Sequence, residues 1–278
     1  MEYADVVVVG GRCAGSPAAM LLARQGRRVV VLERSNLESD VISTLYIQPT
    51  GMVQLRRWDL LEQVSATGAP ELPQTRASIC GVSMTGRAAW PADTPASRAP
   101  RRHALDPLLA QAAAAAGADI RLRATMTAVE ADAGGASVSY RHRGADGRLV
   151  EGTIRAGLVV GADGMRSKVA DQVGATALRT DPTWTCAYYT YWAGLGDLPF
   201  CTYEDEGGWV SAVPTSDGIV LVSAYFPQDR FDEVRHRAEA AYMECLQVVA
   251  PDLFDRIQTA ERVGPLVGFG DQRNFMRQ

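Results

Sequence analysis

The sequence is nearly without lysine: Lys168 is the only one, so 27 of its 28 basic residues are arginines. Any reaction that needs a lysine amine must therefore use Lys168. Histidine is equally scarce, and the three that occur (His103, His142 and His236) lie far apart, without the spacing of metal ligands. The sequence therefore predicts no metal site.

Paired cysteines and long apolar runs are missing too. The five cysteines are scattered and never form a C-x-x-C pair, so we expect free core thiols rather than a disulfide framework. No apolar run approaches the ~20 residues of a membrane helix. The start, Met1 to Asp5, lacks the basic flank and apolar segment of a secretory signal. These absences predict a cytoplasmic protein without a membrane span.

A strong excess of charge is also lacking, because the net charge is -4 and the isoelectric point is about 5.5. A broad surface for polyanions is therefore not expected, and a small molecule is a better candidate partner than nucleic acid. The chain has 278 residues, of which 47% are hydrophobic and 22% charged, as in ordinary globular proteins. This length fits one large domain or two interleaved ones, and it leaves the oligomeric state open.

The first forty residues alternate between strand and helix patterns. Val6 to Val9 has the composition of a parallel strand buried on both faces. A helix is predicted from Ser16 to Gln25, with Pro17 in its first turn and Gly26 after its end. Arg28 to Leu32 is the next predicted strand, so the sequence begins with a β-α-β unit.

A glycine-rich turn joins the first strand to this helix. Its residues are Gly10, Gly11, Arg12, Cys13, Ala14 and Gly15. The context is that of a dinucleotide fingerprint, in which the helix N-terminus attracts a pyrophosphate and Glu33 accepts hydrogen bonds from a ribose. Arg12 replaces the middle glycine of the fingerprint, so either the backbone adapts there or Arg12 adds a charge.

The rest of the chain changes character twice. A helix is predicted over 51–64, a proline-rich excursion with a strand at 77–84 follows, and a helix is predicted over 106–116. Strands are predicted between 120 and 154, a separate buried strand at 158–160, and longer aromatic strands from 184 to 231. We expect a discontinuous nucleotide-binding domain (1–75 and 100–175) and a β-sheet substrate domain (76–99 and 176–278).

The strand at 158–160 runs into a second glycine-rich motif, G-A-D-G-M-R-S, at 161–167. Together with V-V-V-G-G-R-C-A-G and the pair Glu33-Arg34, it resembles FAD-dependent oxidoreductases of the aromatic-hydroxylase type, similar to para-hydroxybenzoate hydroxylase. Pro100 to Asp106 resembles the helix-opening R-x-x-L of that family. The resemblance implies an α/β fold in which a Rossmann-like FAD-binding domain, of the glutathione-reductase type, is interleaved with a mixed or antiparallel β-sheet substrate domain.

The resemblance also implies roles for individual residues. The turn from Gly10 to Gly15 would hold the FAD pyrophosphate, and Glu33 with Arg34 would bind the adenosine ribose. Arg102 would contact the ribityl–phosphate region, and Asp163 with Gly164 would lie between FAD and the nicotinamide cofactor. Met126 is a candidate for the adenine rim, although a plain core methionine is the favoured interpretation. No catalytic residue is identified, because His103 is better explained as a residue at a helix start.

A third motif of the family, a strand ending in Gly-Asp-Ala followed by a helix, does not occur before Gln278. Gly270-Asp271 is followed by Gln272 and not by alanine, and too few residues remain for that helix. The expectation is therefore a chain shortened before the third FAD motif, without the C-terminal part of the FAD domain.

The implied activity is oxidation with FAD as cofactor and NAD(P)H as electron donor. Family members form a flavin hydroperoxide from O₂ and transfer oxygen to an aromatic or other apolar small molecule. The aromatic strands could roof that substrate pocket, although most of their rings are expected only to pack a sheet.

The sequence leaves four alternatives to a monooxygenase. A flavin-dependent reductase of prenyl double bonds shares both nucleotide motifs, and a shortened chain could bind FAD without autonomous activity. A flavin halogenase would need its own lysine and a W-x-W-x-I-P segment, which the sequence lacks. A plain NAD-dependent dehydrogenase would leave residues 161–167 unexplained.

Overall fold

The computed structural model describes residues 2–41, 46–144, 146–270 and 272–277. The chain divides into two compact units. Unit 1 comprises residues 1–41, 102–180 and 275–278, and unit 2 comprises residues 42–101 and 181–274. Residues 46–75 thus lie in unit 2, whereas the sequence placed them in the first domain. The roles predicted for the two domains remain predictions.

Eight helices are found in the described residues: α1 Gly15–Arg24, α2 Pro49–Arg57, α3 Leu61–Ser65, α4 Arg102–Ala115, α5 Lys168–Gln172, α6 Phe231–His236, α7 Ala238–Val249 and α8 Pro251–Ile257. The strands are β1 Glu2–Val9, β2 Val29–Glu33, β3 Thr75–Ile79, β4 Val82–Gly86, β5 Asp119–Leu122, β6 Thr125–Asp132, β7 Gly135–Arg143, β8 Leu149–Gly161, β9 Ala177–Asp181, β10 Thr185–Ala193, β11 Phe200–Asp205, β12 Gly208–Pro214, β13 Ile219–Pro227, β14 Glu261–Phe269 and β15 Asn274–Arg277. Among these helices none is long and apolar enough to cross a membrane.

Unit 1 is built on a six-stranded sheet with the order β5-β2-β1-β8-β7-β6. The valines of β1 are buried because β1 lies between two parallel neighbours, with Val6 opposite Val29 of β2 and Leu158 of β8. Helix α1 packs against α4. The predicted β-α-β unit is confirmed, and the carboxyl ends of β1, β2 and β8 lie at one edge of the sheet.

Strand β8 differs from the sequence-based expectation of two separate strands. Its first part runs antiparallel to β7, and its second part runs parallel to β1. Residues 154–156 pair with both neighbours, so one continuous strand carries the chain from a hairpin into the parallel part of the sheet. The expected burial of residues 158–160 is wrong, because Leu158 is 53% exposed and Val159 and Val160 are only partly buried.

Three further expectations from the sequence are wrong. The helix expected over 51–64 is interrupted at Asp59, whose φ of 63° is left-handed, and α2 and α3 form instead. The single strand expected over 77–84 is a hairpin that turns at Cys80 and Gly81, with φ of 47° and 79°. Cys13 and Cys80 are exposed, so only the other three cysteines are core thiols.

Unit 2 is built on a seven-stranded sheet with the order β14-β10-β13-β12-β11-β3-β4. The predicted aromatic strands between 184 and 231 are confirmed as β10 to β13. One sheet face packs Trp192 and Phe226 among residues of α7 and α8, and the other buries Tyr189, Tyr191 and Leu221. Helices α6, α7 and α8 were not expected from the sequence.

Replacing Tyr242 by Phe tests the core of unit 2. The Tyr242 hydroxyl is buried, accepts a hydrogen bond from Trp192 Nε1 at 3.1 Å and donates one to the Val222 carbonyl at 3.2 Å. Tyr242→Phe leaves the indole N–H without its acceptor, so we expect a loss of about 1–3 kcal/mol in the free energy of unfolding. Urea unfolding measures the change. Tyr3→Phe, at a ring that is 50% exposed, is the control and should change little; an equal loss in both variants would contradict the assignment.

Candidate functional site

The turn after β1 follows a path that only glycine permits at two positions. Gly10 has a φ of 101°, and a Cβ there would lie 2.3 Å from the carbonyl oxygen of Ala162. A Cβ at Gly15 would lie 1.8 Å from the carbonyl oxygen of Gly10. These contacts explain the glycine at each end of the turn. The backbone at Gly15 packs against the Gly10 carbonyl, and the backbone at Gly10 packs against Ala162 of the second glycine-rich motif.

The N-terminus of α1 has no side-chain cap. Ala14, the residue before the helix, is exposed and makes no side-chain hydrogen bond to it, whereas Gly15, Ser16 and Pro17 are buried. Within the turn, the Ser16 hydroxyl donates to the carbonyl oxygen of Gly11 at 2.5 Å, which fixes the loop against the helix. A helix N-terminus of this kind carries a partial positive charge that favours an anion such as a diphosphate.

Glu33 ends β2 with its carboxylate almost fully buried. One oxygen accepts from the backbone N–H of Gly11 at 2.7 Å. The other accepts from the backbone N–H and the hydroxyl of Ser35, at 2.8 and 2.7 Å. The side chain is thus fixed beside the turn, where a carboxylate can accept further hydrogen bonds from a ribose. Its neighbour Arg34 is exposed.

A buried acidic group joins the turn to α4. Asp106 is fully buried, and its two carboxylate oxygens lie 2.5 Å from Arg12 Nη1 and 2.8 Å from Arg102 Nε. The thiol of Cys13 donates to the same carboxylate at 3.3 Å. Arg12, Cys13 and Arg102 were assigned to cofactor binding from the sequence, and all three contact the carboxylate of Asp106, which was not.

Cys13 is exposed as a residue, yet its thiol is partly withdrawn from water. This loss of solvation raises the pKa of Cys13 to about 11, against the opposing effect of the nearby Arg102 charge. The thiol is therefore protonated at neutral pH and weakly nucleophilic.

The second glycine-rich motif follows β8 and lies directly against the first. Asp163 Oδ2 accepts from the backbone N–H groups of Lys168 and Val169, at 2.7 and 3.2 Å, and thereby supports the start of α5. Asp163 Oδ1 is buried and has no hydrogen-bond partner within the described part of the chain. Gly164, with a φ of 89°, is exposed.

The remaining candidates lie elsewhere. Met126 is 5% exposed and packs in the core of unit 1 with Val9 and Leu32, as a core methionine would. Its contact with an adenine stays a prediction. His103 lies at the start of α4, where its backbone N–H and ring Nδ1 contact Asp40 Oδ1, both at 3.1 Å.

The structure therefore gathers most of the predicted residues in unit 1. The turn from Gly10 to Gly15, Glu33 and Asp163 meet at the carboxyl edge of the sheet, and Arg102 reaches it through Asp106. Sequence reasoning missed Asp106 and Ser35. The spacing of Arg102 and Asp106, four residues apart on a helix, was the available signal for the first.

Unit 2 contains a pocket of about 360 Å³. Its wall includes Tyr46 and Phe200, whose rings stack with centroids 4.4 Å apart, together with Trp90, Arg87 and Thr75. The volume lies at the lower end of the range of small-molecule sites. It is a candidate binding pocket with flat aromatic walls and one cationic side chain.

A family model described as FAD binding domain matches residues 3–244 of this chain. The chain is 32% identical over 198 residues to digeranylgeranylglycerophospholipid reductase 2 of Methanothermobacter thermautotrophicus, which covers 68% of this chain and 46% of that protein. It is 28% identical over 190 residues to aklavinone 12-hydroxylase DnrF of Streptomyces peucetius subsp. caesius, covering 62% of this chain and 38% of that protein. The chain thus spans less than half the length of these relatives.

Among solved structures, the myxobacterial chondrochloren halogenase CndH superposes with a TM-score of 0.87 at 22% identity, over 100% of this chain and 65% of that one. At this identity the likeness shows the fold alone. The predicted fold class and the resemblance to FAD-dependent oxidoreductases are confirmed.

Replacing Gly15 by Ala tests the close approach within the turn. The added Cβ cannot avoid the carbonyl oxygen of Gly10, so we expect a loss of ~3 kcal/mol in the free energy of unfolding. Thermal unfolding measures it. Gly86→Ala is the matched control, because a Cβ there meets nothing within 4 Å. Equal melting temperatures for Gly15→Ala and the unmodified chain would show that the turn is not packed this tightly.

The raised pKa of Cys13 predicts a pH-dependent reactivity. In a Cys80→Ser background, which removes the other exposed thiol, labelling of Cys13 by a disulfide reagent should be slow at pH 8. Below its pKa the thiolate fraction rises about tenfold per pH unit, so the labelling rate should rise about a hundredfold from pH 8 to 10. Mass spectrometry of the labelled peptide follows it, and a plateau below pH 9 would contradict the shift.

Proposed function

This chain belongs to the FAD binding domain family, and we propose that it serves an FAD-dependent monooxygenase that takes electrons from NADH or NADPH and hydroxylates an aromatic or other apolar small molecule. The observation that carries the proposal is the convergence of the glycine turn, Glu33 and Asp163 at one edge of the sheet in unit 1. The hydroxylase named among the relatives supports the reaction type.

The polar groups at this edge of the sheet fit the hydroxyl and diphosphate groups of FAD. The buried Oδ1 of Asp163 is a hydrogen-bond acceptor without a partner among the described residues, and such an atom is costly to bury unless a ligand donor meets it. FAD carries hydroxyl donors on its ribose and ribityl chains. A Cβ at Gly10 or Gly15 would collide with protein backbone, so the two glycines set the path of the turn, and the N-terminus of α1 that follows it would attract a diphosphate.

Each of these groups would bind or orient a part of FAD. The turn and the N-terminus of α1 would bind the diphosphate, Glu33 would bind the adenosine ribose, and Arg102 would contact the ribityl–phosphate region. Asp163 would accept from a cofactor hydroxyl while its second oxygen holds the start of α5. When bound, FAD supplies two-electron transfer and the activation of O₂, which no side chain of the protein can supply alone.

The substrate class rests on unit 2. Its aromatic residues divide between the two sheet faces, and those packed on α7 and α8 have a structural role. Tyr46, Phe200 and Trp90 line the 360 Å³ pocket together with polar side chains such as Arg87 and Thr75, and the aromatic faces favour a ring system. Only this minority of the rings is proposed to contact substrate. No general base is assigned.

A flavin-dependent reductase of prenyl-type double bonds is the second candidate, because the reductase relative matches more of this chain than the hydroxylase does. Oxygen separates the two. A hydroxylase consumes O₂ as it turns over, whereas a reductase removes a double bond under anaerobic conditions. The third candidate is an FAD-binding chain without autonomous activity.

The visible spectrum of the purified chain, after addition of FAD and desalting, tests the cofactor. We expect flavin absorption bands to stay with the protein, because the groups for the diphosphate and ribose are present in unit 1. NADH- or NADPH-dependent oxygen uptake is the next measurement. A chain that is colourless after incubation with a high concentration of FAD and desalting would contradict the proposed function. Bound flavin without turnover would favour the third candidate.

Asp163→Asn tests the partnerless oxygen. An amide can still accept from the start of α5, but its N–H₂ cannot accept from a cofactor hydroxyl. We expect FAD to bind about tenfold more weakly, or ~1.4 kcal/mol, with little change in melting temperature. Quenching of flavin fluorescence measures the affinity. Asp146→Asn, at the exposed hairpin between β7 and β8, is the control; equal affinities in all three proteins would remove Asp163 from the site.

A further inference from the structure

Arg12 occupies the position at which the dinucleotide fingerprint has its middle glycine. We propose that Arg12 is a positioning residue that holds Glu33 and Arg102 in place for the cofactor, acting through Ser35 on one side and Asp106 on the other. The inference rests on the proposed binding of FAD. It differs from both interpretations that the sequence offered, an adapted backbone or an added charge.

On the α4 side, Arg12 shares a carboxylate with Arg102. Asp106 is 0% exposed, and it is neutralised by Arg12 at 2.5 Å and Arg102 at 2.8 Å. A buried carboxylate is stable only when its oxygens are paired, and loss of Arg12 leaves Oδ2 of Asp106 without its guanidinium partner. The orientation of the Arg102 guanidinium therefore depends on a carboxylate that Arg12 helps to hold.

On the β2 side, Arg12 closes a ring of hydrogen bonds. Its Nη2 donates to the Ser35 hydroxyl at 3.1 Å, and that hydroxyl donates to Glu33 Oε1 at 2.7 Å. Glu33 Oε2 accepts from the N–H of Gly11, the residue before Arg12, at 2.7 Å. The carboxylate assigned to the ribose is thus fixed from both sides by the turn.

The chemistry of the side chain explains why an arginine stands here. A guanidinium presents several N–H donors in one rigid plane, so Nη1 and Nη2 can serve two acceptors on different elements at once. A lysine carries its three N–H donors on one nitrogen at the end of a flexible stem, and a glycine has no side-chain donor at all. The Arg12 side chain is only 23% exposed. It is therefore engaged mainly with protein and acts on the cofactor through its neighbours.

The test uses the full chain, stripped of flavin, with ADP and 2′-deoxy-ADP as probes in calorimetric titrations. Arg12→Gly restores the complete G-x-G-x-x-G sequence. We expect it nevertheless to weaken ADP binding about tenfold, and to abolish the preference for ADP over its 2′-deoxy analogue. Arg27→Gly removes an exposed arginine from the same β-α-β unit, and it should change neither quantity.

Two further variants separate the sides of the network. Ser35→Ala removes the hydroxyl that joins Arg12 to Glu33 and leaves Asp106 in place, so it should lower the preference for the 2′-hydroxyl. Asp106→Asn breaks the link to Arg102, so it should weaken ADP and 2′-deoxy-ADP equally and leave their ratio unchanged. A general loss of structure would not move the ratio in one variant and spare it in the other.

Arg12→Lys decides between position and charge. If Arg12→Lys binds ADP like the unmodified chain, charge alone suffices and the inference is overturned. It is also overturned if Arg12→Gly binds ADP as tightly as the unmodified chain, while FAD binding itself would stand. If Arg12→Gly unfolds, Arg12→Gln takes its place with the same expected losses. An unmodified chain that binds neither FAD nor ADP fails the proposed function, and the inference falls with it.

Discussion

The parallel pairing of β1 with β2 on one side and β8 on the other is the constraint on which the candidate site depends. Parallel strands end at the same edge of a sheet, so the turn after β1, Glu33 after β2 and the second glycine motif after β8 must meet there. The meeting is close: Gly10 has room only for a hydrogen where it faces Ala162.

Polar groups brought so close together must also satisfy one another. Glu33 and Asp106 are both buried at this edge, and each has hydrogen-bond partners for both of its oxygens. Such networks are favourable only when nearly every member is paired, because a lone buried charge is expensive. Against that background the bare Oδ1 of Asp163 is the exception. The proposed cofactor contact is placed at this atom for that reason.

The sequence predicted features that depend on neighbouring residues in the chain, and it missed those that depend on tertiary packing. Gly10, Gly15 and the first β-α-β unit were predictable, since strand composition, helix signals and turn glycines are all local. The break at Asp59 was not, because a left-handed residue other than glycine leaves little trace in a hydrophobic pattern. Asp106 was missed for a different reason: a carboxylate on a helix is ordinarily solvated, and only the tertiary packing of α1 on α4 buries it beside Arg12.

The aromatic strands of unit 2 illustrate the same limit in the substrate region. Alternation along β10 separates Tyr188 and Trp192 from Tyr189 and Tyr191, but it does not say which face a helix covers. Helices α7 and α8 decide this by covering the face of Trp192, and a ring in contact with a helix has no surface left for a substrate. The stacked rings of Tyr46 and Phe200 instead line a pocket, so the aromatic residues that could meet a substrate lie outside β10. Any assignment of substrate must therefore begin from that pocket and not from the aromatic content of the sheet.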